Sequence, residues 1–385
     1  MLQILIAPNS FKNSLTAEEV ADTIEAGLQE SKLPAQIRKF PIADGGDHTS
    51  YLLTKHLEGE MKKKQVQGAY LQPTDAQYGF IADLKTAIIE VAETSGFKSI
   101  QGAIQSPINS SSYGLGELIL HNIEAGVQDF IICLGGSATV DGGIGLLQAL
   151  GVIFKGKDGQ TLQASPANFK EVDSLDASAF KTRIQDCRFT ILCDVENKLL
   201  GEAGAAAVFG PQKGASEADV ELLEDFLSHF TKLSQEALGE DLNAIIGGGA
   251  AGGLGACFAV WFKAKMEKGT AYFCKITGFE AALAKTDLLI TGEGSIDSQS
   301  LEGKAPLVVA GYAKDKGIPT IGLAGKIPQH ISLKLQAYFS MLLAIGSQPE
   351  NLTAALLHTK VNLSRTAKQI GLLLARTNGQ KKSAD

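Results

Sequence analysis

The sequence predicts an α/β protein in which a second domain is inserted into the first. The chain has 385 residues, more than one hydrophobic core usually contains, so two domains of about 150–200 residues each are expected. Short apolar runs alternate with helix-like segments at both ends of the chain, which is typical of a parallel sheet covered by helices. Glycine-rich turns follow several of these runs, as they do in α/β sheets that bind ligands at strand ends.

The N-terminal segment predicts a β–α–β unit. Residues 2–7 (LQILIA) predict a buried strand, and residues 8–15 (PNSFKNSL) predict a loop. Thr16 followed by Glu19 is a capping-box pattern, so a helix is expected to begin directly after Thr16. Residues 36–42 predict a second strand, which ends at the turn ADGG.

Three apolar runs near the C-terminus predict further strands, at residues 287–291, 320–323 and 340–345. Helix-like runs at 305–316 and 349–360 separate or follow them. With the two N-terminal strands they make a five-stranded flavodoxin-like sheet. This domain is expected to contain residues 1–60 plus 285–385, and only the tail 378–385 is expected to be disordered.

The middle of the chain, residues 61–284, is predicted to be the inserted α/β domain. Its strands are expected at 87–91, 130–134 and 189–193, and its helices around 116–125 and 218–238.

The composition excludes several classes of partner. The net charge is −7, the pI is about 5.5 and no cluster of Lys and Arg exceeds three residues, so no nucleic-acid surface is predicted. The five cysteines lie singly, which fits reduced thiols better than zinc or disulfides. No run approaches the roughly 18 apolar residues of a membrane span, and the N-terminus lacks a basic signal-peptide region. We therefore expect a soluble, cytoplasmic protein with no membrane partner.

Four glycine-rich segments punctuate the chain. They are LGGSATVDGG at 134–143, ADGG at 43–46, GGGAAGGLG at 247–255 and TGEG at 291–294. A strand that runs into glycine, hydroxyl and carboxylate residues usually presents backbone N–H groups to an anion. Their recurrence predicts binding of a small anionic ligand.

Two N-terminal loops carry candidate ligand-binding side chains. Ser10 and Lys12 precede the first helix, where a hydroxyl and a cation suit a phosphate, although an exposed lysine in a capped turn explains them equally well. In ADGG, Gly45 and Gly46 let the backbone approach a ligand closely, and Asp44 can accept a hydroxyl proton or hold Mg²⁺. A tight turn that serves geometry alone is the commoner alternative.

Further candidates follow later strands. Asp194 ends an apolar run, so it is either a partly desolvated general base for an alcohol or an Asx turn or helix cap. Lys213 and Lys304 stand in loops, as phosphate ligands or as ordinary solvated lysines. Glu293 and Asp297 follow a C-terminal strand and suit metal-bound or ribose-bound ligands, or simply a loop rich in turn formers.

Several familiar signatures are excluded. Residues 151–158 (GVIFKGKD) lack the hydroxyl residue of a P-loop. Residues 247–252 match G-x-G-x-x-G, but they follow only a short predicted strand at 242–246 and no acidic residue lies at the required offset. Ser137 lies in GGSAT rather than in the hydrolase motif G-x-S-x-G, and the six histidines show no metal spacing.

Several segments together resemble the bacterial-type glycerate kinase family. In chain order they are IAPNSFKNSLTAEEVA, PIADGG, IIEVAETSG, LGGSATVDGGIGLLQALG, CDVEN, AAAVFGPQKGA, AAGGLGA and LLITGEGSIDSQSLEGKAP. The resemblance implies transfer of a phosphoryl group from ATP to D-glycerate with Mg²⁺. It also implies an active site in the cleft between the flavodoxin-like domain and the inserted α/β domain.

The resemblance also assigns functional positions residue by residue. They are Ser10, Lys12, Asp44, Gly45, Gly46, Gly135, Gly136, Ser137, Thr139, Asp141, Asp194, Lys213, Glu293, Asp297 and Lys304. The departures from the usual family pattern are Asn9 for Asp, Asp47-His48 for Glu-Gly, Val140 for Asn and Ser295 for Arg. The missing guanidinium at Ser295 removes a bidentate clamp for phosphate or carboxylate, which bears on substrate choice.

The resulting hypothesis is that Asp194 accepts the glycerate hydroxyl proton, with Asp44 as the second candidate. Lys12 and the LGGSATVDGG backbone would stabilise charge on the transferred phosphoryl group, Mg²⁺ would bridge phosphates near Asp297, and domain closure would exclude water. The bacterial family members lead us to expect 2-phosphoglycerate as the product. A kinase for another small hydroxy acid and a non-catalytic nucleotide-sensing relative are the alternatives, and a homo-oligomer is left open.

Overall fold

The computed structural model has alternating strands and helices, and it describes residues 1–100, 105–297 and 303–381. In chain order the strands are β1 (Leu2–Ile6), β2 (Ala35–Lys39), β3 (Glu60–Gln67), β4 (Pro73–Ile81), β5 (Thr86–Glu90), β6 (Asp129–Cys133), β7 (Ile153–Gly156), β8 (Thr161–Leu162), β9 (Val172–Asp176), β10 (Arg188–Leu192), β11 (Lys265–Glu267), β12 (Leu288–Ser295), β13 (Thr320–Lys326) and β14 (Met341–Ala344).

The helices complete the α/β pattern. They are α1 (Ala17–Glu30), α2 (Thr49–His56), α3 (Val91–Ser95), α4 (Tyr113–Glu124), α5 (Ile144–Ala149), α6 (Ser178–Ile184), α7 (Glu217–Leu238), α8 (Leu254–Trp261), α9 (Gly269–Ile276), α10 (Phe279–Leu283), α11 (Ala305–Asp315), α12 (Leu333–Gln336) and α13 (Leu352–Lys381). Among the described helices, none combines the length and the apolar content needed to cross a lipid bilayer.

The chain divides into two compact units, Met1–Asp44 with Thr270–Asp385 and Gly45–Gly269. Both boundaries lie earlier than the expected ones, which fall after residues 60 and 284. Helix α2 belongs to the inserted unit because it packs against β4 and β5. Helices α9 and α10 belong to the first unit because the ring of Phe40 packs on Phe273 and Phe279, at 6.4 and 5.2 Å between centroids.

The sheet of the first unit has the predicted five strands, in the order β14-β13-β12-β1-β2, and all of them are parallel. Counted within the unit, this is the 2-1-3-4-5 order of a flavodoxin-like sheet. The first strand lies between its two neighbours, with Ile4 beside Leu288 on one side and Ile37 on the other. From β1 the chain adds β2 on one side of the sheet and then β12, β13 and β14 on the other side. The boundary between β1 and β12 is therefore the topological switch point of the sheet.

Helices α1 and α11 begin at the expected residues, whereas α13 continues to Lys381, far beyond the expected run at 349–360, and α9, α10 and α12 were not predicted. Thr16 and Glu19 form the predicted capping box, in which each side chain accepts a hydrogen bond from the other residue's backbone N–H. Helix α1 packs tightly on α13. The disordered tail expected from residue 378 is wrong for residues 378–381, because α13 continues to Lys381, whereas residues 382–385 lie outside the described part.

The inserted unit has a six-stranded sheet in the order β11-β10-β6-β5-β4-β3. Strands β5, β6, β10 and β11 are parallel, and β4 and β3 are antiparallel additions at one side. A large hydrophobic cluster lies in this unit, and within it the rings of Phe130 and Phe189 stack at 4.8 Å between centroids. The strand expected at 242–246 is wrong. Leu242–Ala244 form a 3₁₀ turn there, capped by the side chain of Asp241.

Candidate functional site

In the first unit, Ser10 and Lys12 lie in the loop after β1, and Glu293 lies near the carboxyl end of the neighbouring strand β12, at the switch point of the sheet. Asp44 follows β2. The backbone N–H of Asn9 donates to the carbonyl of Gly292 over 2.9 Å, and the hydroxyl of Thr291 donates to the carbonyl of Ala7 over 2.6 Å. A Cβ on Gly294 would lie 3.7 Å from the backbone nitrogen of Lys12. The loop that carries Lys12 and the segment TGEG are therefore in contact. Flavodoxin-like sheets bind ligands at this place.

Asp44 is oriented by Asn9, a residue at which the sequence was expected to depart from the family pattern. The Asn9 Oδ1 atom accepts the backbone N–H of Ser10 over 2.8 Å, so its Nδ2 atom must be the group that faces Asp44 Oδ2 at 3.0 Å. Asn9 is almost fully buried. An aspartate at this position would place two carboxylates against each other, whereas the amide of Asn9 donates a hydrogen bond that fixes the direction of the Asp44 carboxylate.

Asp297 and Lys304 form an ion pair beyond the end of β12. The Lys304 Nζ atom lies 3.7 Å from Asp297 Oδ1, and both side chains are partly exposed. Residues 298–299 of TGEGSIDSQ and residues 301–302 of LEGKAP lie outside the described part of the chain. Within the described residues, no group of three His, Cys, Asp or Glu side chains forms a metal cage. Asp297 alone could supply one oxygen ligand.

In the inserted unit, the turns ADGG and LGGSATVDGG pack against each other. The backbone N–H of Gly135 donates to the carbonyl of Gly45 over 3.4 Å. A Cβ on Gly135 would lie only 2.7 Å from the Cα atom of Gly46, so no side chain fits there. The next two N–H groups, of Gly136 and Ser137, have no acceptor within the described part of the chain, and Gly136 is exposed with a φ of +72°. This turn can therefore accept an anion.

Lys213 is a buried lysine that donates hydrogen bonds to the same turn. A π turn at Ala205–Phe209 and a 3₁₀ turn at Pro211–Lys213 carry this lysine inward. Its Nζ atom donates to Ser137 Oγ and to the carbonyl of Thr139, both over 2.8 Å. Lys213 is only 3% exposed, and burial lowers its pKa from 10.5 to about 7, although the charge of Asp141 opposes the shift. The alternative of a solvated loop lysine is therefore wrong.

Asp141 is fully buried and serves the fold. Its two carboxylate oxygens accept the backbone N–H and hydroxyl of Ser112 and the N–H groups of Gly143 and Gly145, over 2.7 to 3.2 Å. Burial raises its pKa, and these hydrogen bonds oppose the rise. The expected substrate contact is not what the structure shows. Thr139 is likewise fully buried, and its hydroxyl has no partner within the described residues.

The segment GGGAAGGLG serves packing at the positions that the structure explains. A Cβ on Gly252 would lie 2.0 Å from the carbonyl oxygen of Thr139, and the N–H of Gly142 donates to the carbonyl of Gly252 over 3.0 Å. The φ of Gly252 is +68°. This segment therefore supports the LGGSATVDGG turn by close backbone contact, and its expected role in binding an anion is replaced by a structural one.

Asp194 lies two residues after the end of β10 and is exposed, so the expected partial desolvation is wrong. Its Oδ1 atom accepts the backbone N–H of Gly269, the first residue of α9, over 2.9 Å. The helix-cap interpretation is therefore correct in kind, but the helix is α9 and not a segment at 197–200. The hydrogen bond fixes the direction of the carboxylate and leaves the residue accessible to a small molecule.

One buried carboxylate at the carboxyl ends of the parallel strands in the inserted unit was not predicted as a site residue. Glu90 ends β5, is 3% exposed and pairs in register with Cys133, the last residue of β6. Its Oε1 atom accepts both the N–H and the hydroxyl of Ser50. The signal in the sequence is a glutamate directly after the apolar run TAII, because such a charge at the carboxyl end of a buried strand needs a specific partner.

In each unit, polar side chains and glycine turns follow the carboxyl ends of parallel strands. Two such α/β units, with accessible N–H groups, lysines and carboxylates at these edges, are typical of enzymes that handle small anionic substrates.

Comparisons with known proteins identify the class more narrowly. A sequence model described as "Glycerate kinase family" matches residues 4–375, so the chain belongs to the glycerate kinase family. A protein of Halalkalibacterium halodurans named glycerate kinase is 40% identical over 329 residues, covering 86% of this chain and 87% of the relative. A protein of Escherichia coli K12 named glycerate 2-kinase is 38% identical over 378 residues, covering 97% and 98%.

A crystal structure shows the same fold. It is that of a Salmonella typhimurium LT2 protein assigned as glycerate kinase 2, which is similar to this chain with a TM-score of 0.84 and 37% identity and covers 99% of both chains.

Proposed function

We propose that this protein is an ATP-dependent kinase that phosphorylates D-glycerate to 2-phosphoglycerate. Membership of the glycerate kinase family and the relative named glycerate 2-kinase support the reaction. The observation that carries the proposal is the turn at Gly136 and Ser137, whose N–H groups have no acceptor in the described part of the chain while a buried lysine fixes the Ser137 hydroxyl oxygen. We also propose a cytoplasmic location, which fits the use of ATP and five free cysteines.

Asp194 is the proposed general base. It is accessible, and the hydrogen bond from Gly269 fixes its carboxylate at the end of a strand. In that role it accepts the proton of the glycerate hydroxyl as the oxygen attacks the terminal phosphorus of ATP, and the P–O bond to ADP breaks. Asp44, whose carboxylate is fixed by Asn9, is the second candidate for the same proton.

The remaining site residues are proposed to bind and stabilise negative charge. Because Lys213 donates to Ser137 Oγ, the hydroxyl hydrogen of Ser137 can point to a ligand oxygen. Backbone N–H groups and lysines aimed at the phosphoryl oxygens stabilise charge that develops during transfer. The proposed binding residues are Ser10, Lys12, Gly45, Gly46, Gly135, Gly136, Ser137, Glu293 and Lys304.

Magnesium fits the donors that the chain offers. Mg²⁺ usually takes one or two protein carboxylates and completes its shell with water and substrate phosphates, so the lack of a protein cage among the described residues does not conflict with it. Asp297 would hold the ion, and its neighbour Lys304 lies close enough to contact the same phosphate chain. When bound, the ion would neutralise negative charge on the phosphates of ATP and orient them.

Product analysis tests the proposal directly. The protein is incubated with ATP, Mg²⁺ and D-glycerate, and the product is identified by phosphorus and proton NMR. We expect phosphate on the 2-hydroxyl. Formation of 3-phosphoglycerate would overturn the regiochemistry, and ATP binding without turnover of any acid would indicate a nucleotide-sensing protein instead.

A kinase for another small hydroxy acid is the second candidate, because β12 ends at Ser295 where the family usually has arginine. A panel of hydroxy acids assayed by ADP release separates the two. A rate with glycerate no higher than with its competitors would favour the second candidate.

A further inference from the structure

Glu90 is a buried carboxylate of the inserted unit that the proposed reaction does not use. It lies at the carboxyl end of β5, and its Oε1 atom accepts the backbone N–H of Ser50 over 2.8 Å and the Ser50 hydroxyl over 2.9 Å. Burial raises the pKa of Glu90, and the two Ser50 hydrogen bonds oppose this rise. Burying a carboxylate costs desolvation free energy, so the groups that Glu90 contacts should explain why it is there.

The hydrogen bonds of Glu90 replace a missing helix cap. Helix α2 begins at Thr49, and the residue before it, His48, has a φ of +65° and gives no side-chain hydrogen bond to the helix. The first N–H groups of a helix have no partner inside it, so an acceptor must come from elsewhere. Glu90 supplies one from a different strand, and a negative charge at a helix N-terminus is favourable in itself.

The first turn of α2 in turn fixes the glycine turn before it. Thr49 Oγ1 accepts the N–H of Gly45 over 3.1 Å, and the N–H of Thr49 donates to the carbonyl of Gly46 over 3.3 Å. The carbonyl of Gly45 then accepts the N–H of Gly135. A continuous series of hydrogen bonds therefore runs from Glu90 through the start of α2 to both glycine turns.

We propose that Glu90 is a positioning residue for substrate binding: by capping α2 at Ser50 it fixes the Gly45–Gly46 turn and, through it, the anion-accepting turn at Gly135 and Gly136. This inference rests on the proposed function of these turns. The ligand it serves is a substrate anion, either the carboxylate of the acid or the phosphates of ATP. Glu90 does not contact the substrate, so it acts on binding through preorganisation.

The test compares substitutions at Glu90 and Ser50 with a matched control. Glu90→Gln keeps an oxygen that can accept both Ser50 hydrogen bonds, Glu90→Ala removes it, and Ser50→Ala removes only the hydroxyl. Ser234→Ala is the control, because Ser234 is also buried and accepts a side-chain hydrogen bond, from Trp261 Nε1 over 3.2 Å, in a part of the unit without candidate site residues. KM and kcat are measured for both substrates, together with the unfolding midpoint.

We expect Glu90→Ala to raise the KM of one substrate about 10-fold or more and Ser50→Ala to raise it about 3-fold, while kcat changes less than about 3-fold. The substrate whose KM rises identifies the anion held by the turns. Glu90→Gln should restore most of the affinity. The effects of Ser50→Ala and Glu90→Ala should not add in the double variant, because both act through one contact.

A purely structural role would give a different pattern. In that case the Glu90 and Ser50 variants would lose stability, as Ser234→Ala does, but keep the KM values of the wild type, and the inference would be overturned. Calorimetric Kd values for ATP and for D-glycerate are measured in parallel and need no turnover. If the wild-type protein failed to phosphorylate glycerate, unchanged Kd values in the variants would still refute the role of Glu90, and weakened ones would support it.

Discussion

At the scale of single residues, burial separates structural from reactive groups within one short segment. Asp141 and Thr139 are fully buried, and the carboxylate of Asp141 is fully engaged by donors of the chain. Gly136 is exposed in the same turn, and Ser137 next to it is 7% exposed. Lys213 links the two parts of this segment, because its ammonium group donates to the Ser137 hydroxyl oxygen and to the backbone carbonyl of Thr139.

Lys213 should make the stability of the protein depend on pH. Its pKa is about 7 in the folded protein and near its ordinary value of 10.5 in the unfolded chain. Between these values the unfolded chain binds a proton that the folded chain lacks, so the free energy of unfolding rises with pH, by at most about 1.4 kcal/mol per pH unit. This contribution is lost as pH falls through 7.

Urea unfolding of the wild type and of Lys213→Met at pH 6, 8 and 9.5 measures the effect. Only the wild type should gain stability over this range from the lysine, so the difference between the two proteins should change with pH. Parallel pH dependences would show that Lys213 keeps its charge when buried.

Asp194→Asn tests the base. The amide oxygen can still accept the Gly269 hydrogen bond, but it cannot take a proton, so kcat should fall by about 10²-fold or more. Glu196→Gln is the control, because Glu196 is a neighbouring exposed carboxylate that pairs with the exposed Lys268. The kcat of this variant should stay within about 3-fold of the wild type. An unchanged kcat in Asp194→Asn would transfer the role to Asp44.

At the scale of elements, glycines act here mainly by allowing backbone segments to touch. Gly135 lies against Gly46, and Gly252 lies against Thr139. In both cases the contact joins a loop after one strand to a segment far away in sequence. These contacts fix the residues on both sides of Gly136 and Ser137 against other segments of the unit.

Gly252→Ala should destabilise the protein by about 3 kcal/mol or more. The new Cβ would overlap the Thr139 carbonyl oxygen, and the positive φ of 68° adds backbone strain. Gly126→Ala is the matched control. Gly126 also has a positive φ, of 87°, but no atom lies within 4 Å of its Cβ position, so only the strain of about 1 kcal/mol remains.

Urea unfolding compares the two variants. Equal losses in the free energy of unfolding would mean that backbone strain alone explains the glycine at position 252. The structure would then relax around the new Cβ without a further loss of stability.

At the scale of the whole molecule, the inserted unit has the properties of an independent domain. A large hydrophobic cluster, with members from Val66 to Phe262, lies entirely within this unit. The unit begins and ends at neighbouring points, because a Cβ on Gly45 would lie 3.4 Å from the Cα atom of Gly269. An insertion with adjacent ends perturbs the host sheet little.

Residues 45–269 expressed alone should therefore fold. We expect native near-ultraviolet circular dichroism and one cooperative urea transition, and Gly252→Ala should lower its midpoint as it does in the full chain. A molten segment without a cooperative transition would show that the first unit is needed for folding.

Much of the architecture could be predicted from local patterns. The five strands of the first unit's sheet, the strands β5, β6 and β10 of the inserted unit and the capping box at Thr16 follow from apolar runs and cap residues, since these depend on near neighbours in sequence. The strands β3, β4 and β11 of the six-stranded sheet were not predicted. The expected domain boundaries, after residues 60 and 284, lie later in the chain than those of the structure, after Asp44 and Gly269. The sequence of helix α2 does not indicate on which of the two sheets it packs. The strand expected at 242–246 was wrong for a similar reason, since a short apolar run has no periodicity that distinguishes strand from turn.

The sequence alone therefore determined the fold class, the insertion and the family, because periodicity and ordered motifs are properties of the chain itself. The tertiary structure alone decided what individual polar residues do. Lys213 and Asp141 proved to be buried and internally paired, Asp194 proved to be exposed, and Glu90 proved to cap a helix that begins forty residues earlier in the chain. Burial and long-range hydrogen bonds depend on segments far apart in sequence, and they decide whether a charged group supports a turn or meets a ligand.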